Sequence, residues 1–346
     1  MALSTLLFGN PTAQSGKAAA HLERAVKGLE SRGASVLLIP TEPEGRTVGV
    51  VTAAIAEHTP DVVLYLGGDG TFNEVARGML SAEHPTALGM LPMGTANDQG
   101  RSFGLRPGPG AIEDNLDIVM AGHLTQLDVG EVEALDEDGK VFARTRFFDC
   151  VGWGMQPEIL AQRNADRAAV GKIPILREIY RDQAVYAGAA IDRYIASFIE
   201  PTKFDAVIVS GGERHVYEGL TDVVINNTAL YAGEWVPDRF AEPDDGLMEL
   251  VPMQGRRDWA SKAMRDLAIL PLFQEDLDVF GVTHSEGFSG ADFDLTFERP
   301  ERALIPGQLD GEEWIEGTHF RVRVLKNALP LITPADFEPP WRFEPS

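Results

Sequence analysis

The chain has 346 residues, with 53 Asp and Glu against 30 Lys and Arg and a formal charge of −23. That balance excludes a nucleic-acid partner, because no basic stripe offsets the repulsion between two polyanions. Length and a hydrophobic content of 44% suffice for about two packed domains, and the single cysteine, Cys150, excludes an internal disulfide and with it a need for an oxidising compartment.

The opening residues Met1–Pro11 lack a basic stretch and read as a first strand rather than a signal peptide. The longest apolar runs, Val62–Leu66 and Leu267–Phe273, fall far below the ~20 residues of a spanning helix. A cytoplasmic protein, with room for a peripheral visit to a membrane, is expected.

Residues 2–105 alternate between apolar runs and helical periods. Strands are expected at Thr5–Phe8, Ala34–Ile39, Val62–Leu66 and Ala87–Leu91, with helices over Ala18–Ser31, Val48–Glu57 and Phe72–Leu80 between them. Such alternation builds a doubly wound parallel sheet whose ligands bind beyond the carboxyl ends of its strands. From about residue 125 the texture changes to short β segments: Gln126–Leu135, Val141–Val151, Phe204–Ser210, Leu220–Asn226, Leu247–Met253, Phe293–Glu298, Arg302–Ile305 and Phe320–Val324. Turns such as Asp138-Gly139 and Gly211-Gly212 separate several of them, as in an antiparallel sandwich. A helical insert near 158–199 interrupts the series.

The fold class expected is therefore α/β plus β. An N-terminal α/β nucleotide-binding domain covers 1–124, a β-sandwich substrate domain with the insert covers 125–327, and a C-terminal segment covers 328–346. The stretch Gly255–Phe273, with Arg256, Arg257, Lys262 and Arg265 ahead of an apolar run, is a candidate membrane-facing element, with a buried helix as the plainer reading. Trp153, Trp235 and Trp314 are read as packing residues.

Three loops carry the chemistry. The strand Val62–Leu66 runs into Gly67-Gly68-Asp69-Gly70-Thr71 and then a helix. Adjacent glycines let backbone N–H groups face phosphate oxygens at a helix N-terminus. A carboxylate at Asp69 would repel bare phosphate, so it makes sense beside Mg²⁺ or a donor hydroxyl. A plain strand–helix turn with Thr71 as its cap is the bland alternative. The second loop, Leu91–Asp98, offers Gly94, Thr95 and Asn97 as neutral groups at the next strand end. The third, Asn10–Lys17, fails the P-loop template because Ala18 stands where Ser or Thr is required. No G-x-G-x-x-G dinucleotide fingerprint stands there either.

Taken in order, NPTAQSG, GGDGTFNEV and LPMGTANDQGR resemble the marks of the diacylglycerol kinase catalytic domain family, which includes bacterial lipid kinases and sphingosine and ceramide kinases. Later marks are Asp244-Asp245-Gly246-Leu247 and Leu309-Asp310-Gly311-Glu312. The resemblance implies an ATP-dependent lipid kinase acting at an interdomain cleft, with ATP and Mg²⁺ as cofactors. Asn10, Thr41, Gly67, Gly68, Asp69, Gly70, Thr71, Asn73, Thr95 and Asn97 would form the nucleotide site. Asp310 would take the proton from the lipid hydroxyl, with Glu312 as its neighbour and alternative base and Asp69 acting across the cleft. Asp245, with backbone oxygens of Glu242 and Leu247, would hold a structural Mg²⁺.

The implied partner is a lipid such as diacylglycerol or a sphingoid base, met in transient contact with a membrane surface, and a homodimer remains open. Taken without the resemblance, Asp310-Gly311 and Asp244-Asp245-Gly246 read as plain turns. Relative to the family pattern, the Asn10–Lys17 loop carries an extra Ala13-Gln14, and Gln99-Gly100 replace an apolar residue and an alanine. Two alternatives stand beside the lipid kinase: an NAD kinase-like phosphotransferase, against which the segment after Ala87 speaks, and a nucleotide-binding regulatory protein without catalysis.

Overall fold

The computed structural model describes residues 2–155, 157, 203–228, 241–254, 287–300 and 303–337. The expected insert near 158–199, the stretch 255–273, Trp235 and residues 338–346 lie outside the described residues.

The first part alternates as expected: β1 (Ser4–Gly9), α1 (Lys17–Ser31), β2 (Ser35–Pro40), α2 (Thr47–His58), β3 (Val62–Gly67), α3 (Asp69–Leu80) and β4 (Ala87–Pro92). The period of two along β1 sends Leu6 and Phe8 to one face and Leu7 to the other. On the first face Val51 and Ile55 of α2 and Phe72 and Val75 of α3 complete a core; on the second, Leu22 and Leu29 of α1 do so. The second face is closed by Ile112 and Leu116 of α5 (Ile112–Ala121), which follows the short α4 (Asp98–Ser102). Neither α4 nor α5 is legible in the sequence, since α4 has five residues and α5 starts without a capping side chain.

The β part comprises β5 (Leu124–Leu135), β6 (Val141–Phe147), β7 (Cys150–Gly154), β8 (Phe204–Ser210), β9 (Glu213–Leu220), β10 (Asp222–Asn226), β11 (Met248–Met253), β12 (Phe288–Gly290), β13 (Asp292–Glu298), β14 (Ile305–Leu309), β15 (Glu312–Gly317) and β16 (His319–Ile332). Two sheets result. A ten-stranded sheet runs β2-β1-β3-β4-β16-β13-β8-β9, with β5 on β16 and β6 on β5; a six-stranded sheet runs β12-β11-β10-β7-β14-β15. Their facing sides bury Phe147, Trp153, Ile225, Leu250, Phe293, Leu295, Leu309 and Phe320 in one core. Trp153 packs within 4.9 Å of the Phe320 ring centroid, and Trp314 within 5.8 Å, so both are packing residues as read from the sequence.

Two expectations need correction. Val141–Val151 is not one strand: β6 lies in the first sheet and β7 in the second, and the chain changes sheets at Phe148-Asp149. The amides at that corner leave the ladder to bind a carboxylate, as described below. The short strand expected at Phe320–Val324 is in fact β16, whose far end pairs in parallel with β4 at Leu331↔Leu88. Thus β16 crosses the expected boundary at 327/328, and the parallel and antiparallel parts share one continuous sheet.

Candidate functional site

Register brings the loops together. Gly9 stands opposite Pro40 and Leu66, and Gly67 opposite Pro92, so Asn10, Thr41, Gly68 and Met93 leave the sheet along one carboxyl edge. Asn10 closes its own turn, its Oδ1 accepting the N–H of Thr12 at 2.9 Å and the hydroxyl of Thr12 at 2.8 Å. The N–H of Thr41 donates to the carbonyl of Gly9 at 3.1 Å.

The Gly67–Thr71 and Leu91–Asp98 loops touch backbone to backbone. The N–H of Met93 donates to Gly67 O at 2.6 Å, and a Cβ on Gly94 would lie 2.5 Å from the Cα of Gly68. Both glycines are required by this approach. Gly94→Ala is therefore expected to force the loops apart at a cost of about 1–3 kcal/mol, which thermal unfolding would measure.

Helix α3 starts at Asp69, three residues before the expected Phe72. Gly68 is its cap, and no side chain caps it, so Thr71 is not the N-cap. The first amides, at Asp69 and Gly70, thus sit at the open end of a 12-residue helix, where the dipole favours an anion. Thr95 is exposed beside them.

Asn97 is 3% exposed and adopts φ 56°, its Oδ1 accepting Gly94 N–H at 2.7 Å while its Nδ2 donates to Gly94 O at 2.9 Å. Its amide is thus spent inside the loop. Its backbone N–H donates to Asp69 Oδ2 at 2.8 Å. Asp69 Oδ1 is buried without a hydrogen bond, as are both amide atoms of Asn73. Burial raises the Asp69 carboxyl above its usual range, against the pull of backbone N–H groups at Asn97, Gln99 and Asp98.

Asp310 and Gly311 form the two-residue turn from β14 to β15, with φ 48° and 78°. The plain-turn reading is therefore right about the backbone and silent about the side chain. Its Oδ1 accepts N–H groups of Asp149 at 2.8 Å, Phe148 at 3.1 Å and Cys150 at 3.2 Å, and its Oδ2 faces Arg77 Nη2 at 3.7 Å. The side chain is 3% exposed. Burial pushes its pKa up to about 6, with the Arg77 guanidinium and the three amides pulling the other way. Asp149, fully buried and bonded by the hydroxyl of Thr228, is raised well above the usual range by burial and by the nearby carboxylates of Asp98 and Asp310. Glu312 is exposed, and its Oε1 lies 3.3 Å from where a Cβ of Gly70 would stand.

The residues expected around a structural cation lie on a loop beside Asp128. Between Leu325 and Leu329, β16 bulges against β5, placing Lys326, Asn327 and Ala328 opposite Asp128 alone. Fully buried Asp128 accepts Asn327 N–H at 2.6 Å and Gly246 N–H at 2.5 Å, and its own N–H donates to Pro243 O at 2.7 Å. Asp245 is exposed; its Oδ1 accepts Leu247 N–H at 2.7 Å and its carbonyl accepts Lys326 Nζ at 2.8 Å. Glu242 is half-buried.

The structure thus gathers Asp69, Gly70, Asp310 and Glu312, and lines up Asn10, Thr41, Gly67, Gly68 and Thr95 along the neighbouring edge. It sets Asp245 and Leu247 apart, on the loop around Asp128. Sequence reasoning missed Arg77, Asp149, Thr228 and the amides of 148–150. For Arg77 a signal existed: Asp69, Asn73 and Arg77 recur every four residues and share one helix face. Among the described residues no three His, Cys, Asp or Glu side chains form a metal site by themselves, and no helix is long and apolar enough to cross a membrane.

Residues 4–132 match the diacylglycerol kinase catalytic domain family. A diacylglycerol kinase of Staphylococcus aureus (strain bovine RF122 / ET3-1) is 35% identical over 123 residues, 36% of this chain and 38% of that protein. One of Staphylococcus saprophyticus is 35% identical over 106 residues, 31% and 33% of the two chains. The chain thus spans under two fifths of the length of these curated relatives. Among solved structures, a diacylglycerol kinase from Bacillus anthracis str. Sterne superposes with TM-score 0.67 at 18% identity, covering 96% of this chain and 97% of its own. Yeast NADH kinase complexed with NADH gives 0.51 at 9% identity, covering 96% and 84%. At these identities the structural likeness is one of fold: an N-terminal α/β unit with a parallel sheet and a C-terminal antiparallel one.

Proposed function

We propose, from a chain whose residues 4–132 match a diacylglycerol kinase catalytic domain, an ATP-dependent lipid kinase that transfers the γ-phosphoryl group to a lipid hydroxyl. The observation that carries this reading is the Asp310–Arg77 pair: the buried carboxylate of the β14–β15 turn meets the helix that begins in the Gly67–Thr71 loop. A candidate base and a candidate phosphate cradle are thereby held by one helix.

Each residue has a task. The amides of Asp69 and Gly70 bind phosphate oxygens at the open end of α3, and Thr95, Asn10 and Thr41 contact the rest of the nucleotide along the sheet edge. Asn97 and Asn73 shape the site from beneath, since both are buried. Asp310, ionised above pH 6, accepts the proton of the lipid hydroxyl as the oxygen attacks the phosphorus in line. Glu312, exposed beside Gly70, orients that hydroxyl.

Mg²⁺ fits this junction. Asp69 Oδ1 is buried without a partner, and the carboxylates of Asp98, Asp310 and Asp69 add to burial in raising the affinity of Asp149 for a proton. Asp69 would hold the ion with nucleotide phosphates completing its shell, as is usual for this cation. When bound, it neutralises charge on the transferring group.

The acceptor class is the part most open to test. Phosphate transfer from [γ-³²P]ATP with Mg²⁺ would be measured over diacylglycerol, monoacylglycerol, phosphatidylglycerol, sphingosine, ceramide and NAD, in vesicles for the lipids. One labelled lipid, lost in Asp310→Asn, is the expected result. Label on NAD instead would replace the lipid reading with the NAD kinase-like one, and nucleotide binding without transfer to any acceptor would favour the regulatory one.

A further inference from the structure

We propose that the ammonium of Lys326 is a built-in cation of the 242–247 loop, taking the place that the family resemblance gives to a structural Mg²⁺.

The bulge in β16 is the device. Three residues of β16 face one of β5, and the extra length carries Lys326 out over the loop while turning Asn327, at φ 53°, so that its N–H reaches Asp128. Lys326 Nζ donates to the carbonyl of Asp245 at 2.8 Å. Its tail covers Gly246, where an added Cβ would come within 2.8 Å of Lys326 Cδ and 2.9 Å of Nζ. Gly246, at φ 88°, is also a position where any side chain would be strained.

A divalent ion at the Asp245 carboxylate is disfavoured by that ammonium. The carbonyl of Asp245 already serves Lys326, and one carboxylate oxygen already serves the N–H of Leu247. An arriving cation would meet a positive charge that a covalent bond holds in place. The ammonium supplies what such an ion would supply: one centre of positive charge between the Asp245 turn and the buried Asp128 carboxylate.

The loop is connected to the candidate base. Asn227 Nδ2 donates to Asp128 O at 2.8 Å and to Phe148 O at 2.9 Å, and the N–H of Phe148 donates to Asp310. Lys326 is therefore a positioning residue, linked through Asp245-Gly246, Asp128 and Asn227 to the amides that orient Asp310. This last link rests on the proposed function; the cation replacement does not.

The test uses the whole protein without nucleotide. Bound Mn²⁺ is counted by electron paramagnetic resonance in the parent and in Asp245→Asn, and thermal unfolding is followed in the parent, Lys326→Met and Lys326→Arg. Equal Mn²⁺ binding in parent and Asp245→Asn is expected, as is a fall in midpoint of about 2–4 °C for Lys326→Met that Lys326→Arg largely avoids. A Mn²⁺ site lost in Asp245→Asn overturns the proposal, and so does a Lys326→Met midpoint equal to that of the parent. Because neither readout involves turnover, failure here is distinct from failure of the kinase reading. If both hold, Lys326→Met should lower kcat more than it raises KM for ATP, since the nucleotide loops do not touch Lys326.

Discussion

Replacing Asp310 by asparagine is expected to lower phosphoryl transfer by about 10²–10⁴-fold, the range spanned by positioned general bases, without destabilising the protein at pH 8. The two halves of this expectation share one cause. The carboxyl is held at about pKa 6 because burial outweighs Arg77 and three amides, so in the folded state its ionisation is unfavourable relative to the unfolded chain. A raised folded pKa means that the stability present below pH 3.8 is lost as pH rises through 6. The shift of roughly two units corresponds to about 3 kcal/mol at pH 8. Asparagine keeps one oxygen for the amides of Phe148, Asp149 and Cys150 and carries no charge. Its melting midpoint should therefore match or exceed the parent's at pH 8, and the advantage should vanish by pH 4. An inactive variant that melts lower than the parent at pH 8 would falsify the assignment of a strained, functional carboxylate.

Arg77→Met is expected to move the acid limb of the pH profile. In the parent, kcat/KM should fall below pH 6 as Asp310 takes up its proton. Arg77 is the largest influence holding that pKa down against burial. Its removal leaves a 3%-exposed carboxylate with amides alone, so the pKa rises and the limb shifts toward neutral pH. A shift of about one unit gives a roughly fivefold loss at pH 6 and little loss at pH 9. Arg77→Lys keeps a charge near the site and should restore most of the limb. The guanidinium also donates through Nε to Arg146 O at 2.9 Å, which a lysine cannot reproduce with the same fork, so full rescue of stability is not expected. Rate profiles from pH 5.5 to 9 for the three proteins decide it: an unmoved limb in Arg77→Met would mean that Asp310 is not the titrating base.

Much of the α/β part was legible because its signals are local. Runs such as Val62–Leu66 are buried on both sides and read as strands whatever surrounds them. The helix start at Asp69 was not legible, because the cap is a glycine and the geometry depends on the Gly68–Gly94 approach. In the β part, the break within Val141–Val151 was hidden, since Phe148 and Cys150 are as apolar as the strands on either side. Nothing in local pattern shows that their amides leave the ladder to bind a carboxylate 160 residues away. The same limit applies to β16, where Lys326-Asn327 reads as an ordinary polar pair until Asp128 is seen opposite it.

The sequence by itself determined the class of fold, the three strand-end loops, the identity of the candidate acids and the absence of a charge pattern suited to nucleic acid. These depend on periods, glycine spacing and composition, which act over a few residues. Only the tertiary structure decided which acid meets which partner: Asp310 with Arg77 and the 148–150 amides, Glu312 with Gly70, and Asp245 with Lys326 rather than apart from any cation. The physical reason is that burial and charge pairing are set by groups 81 to 242 residues apart in the chain, brought together by sheet pairings that no local pattern encodes.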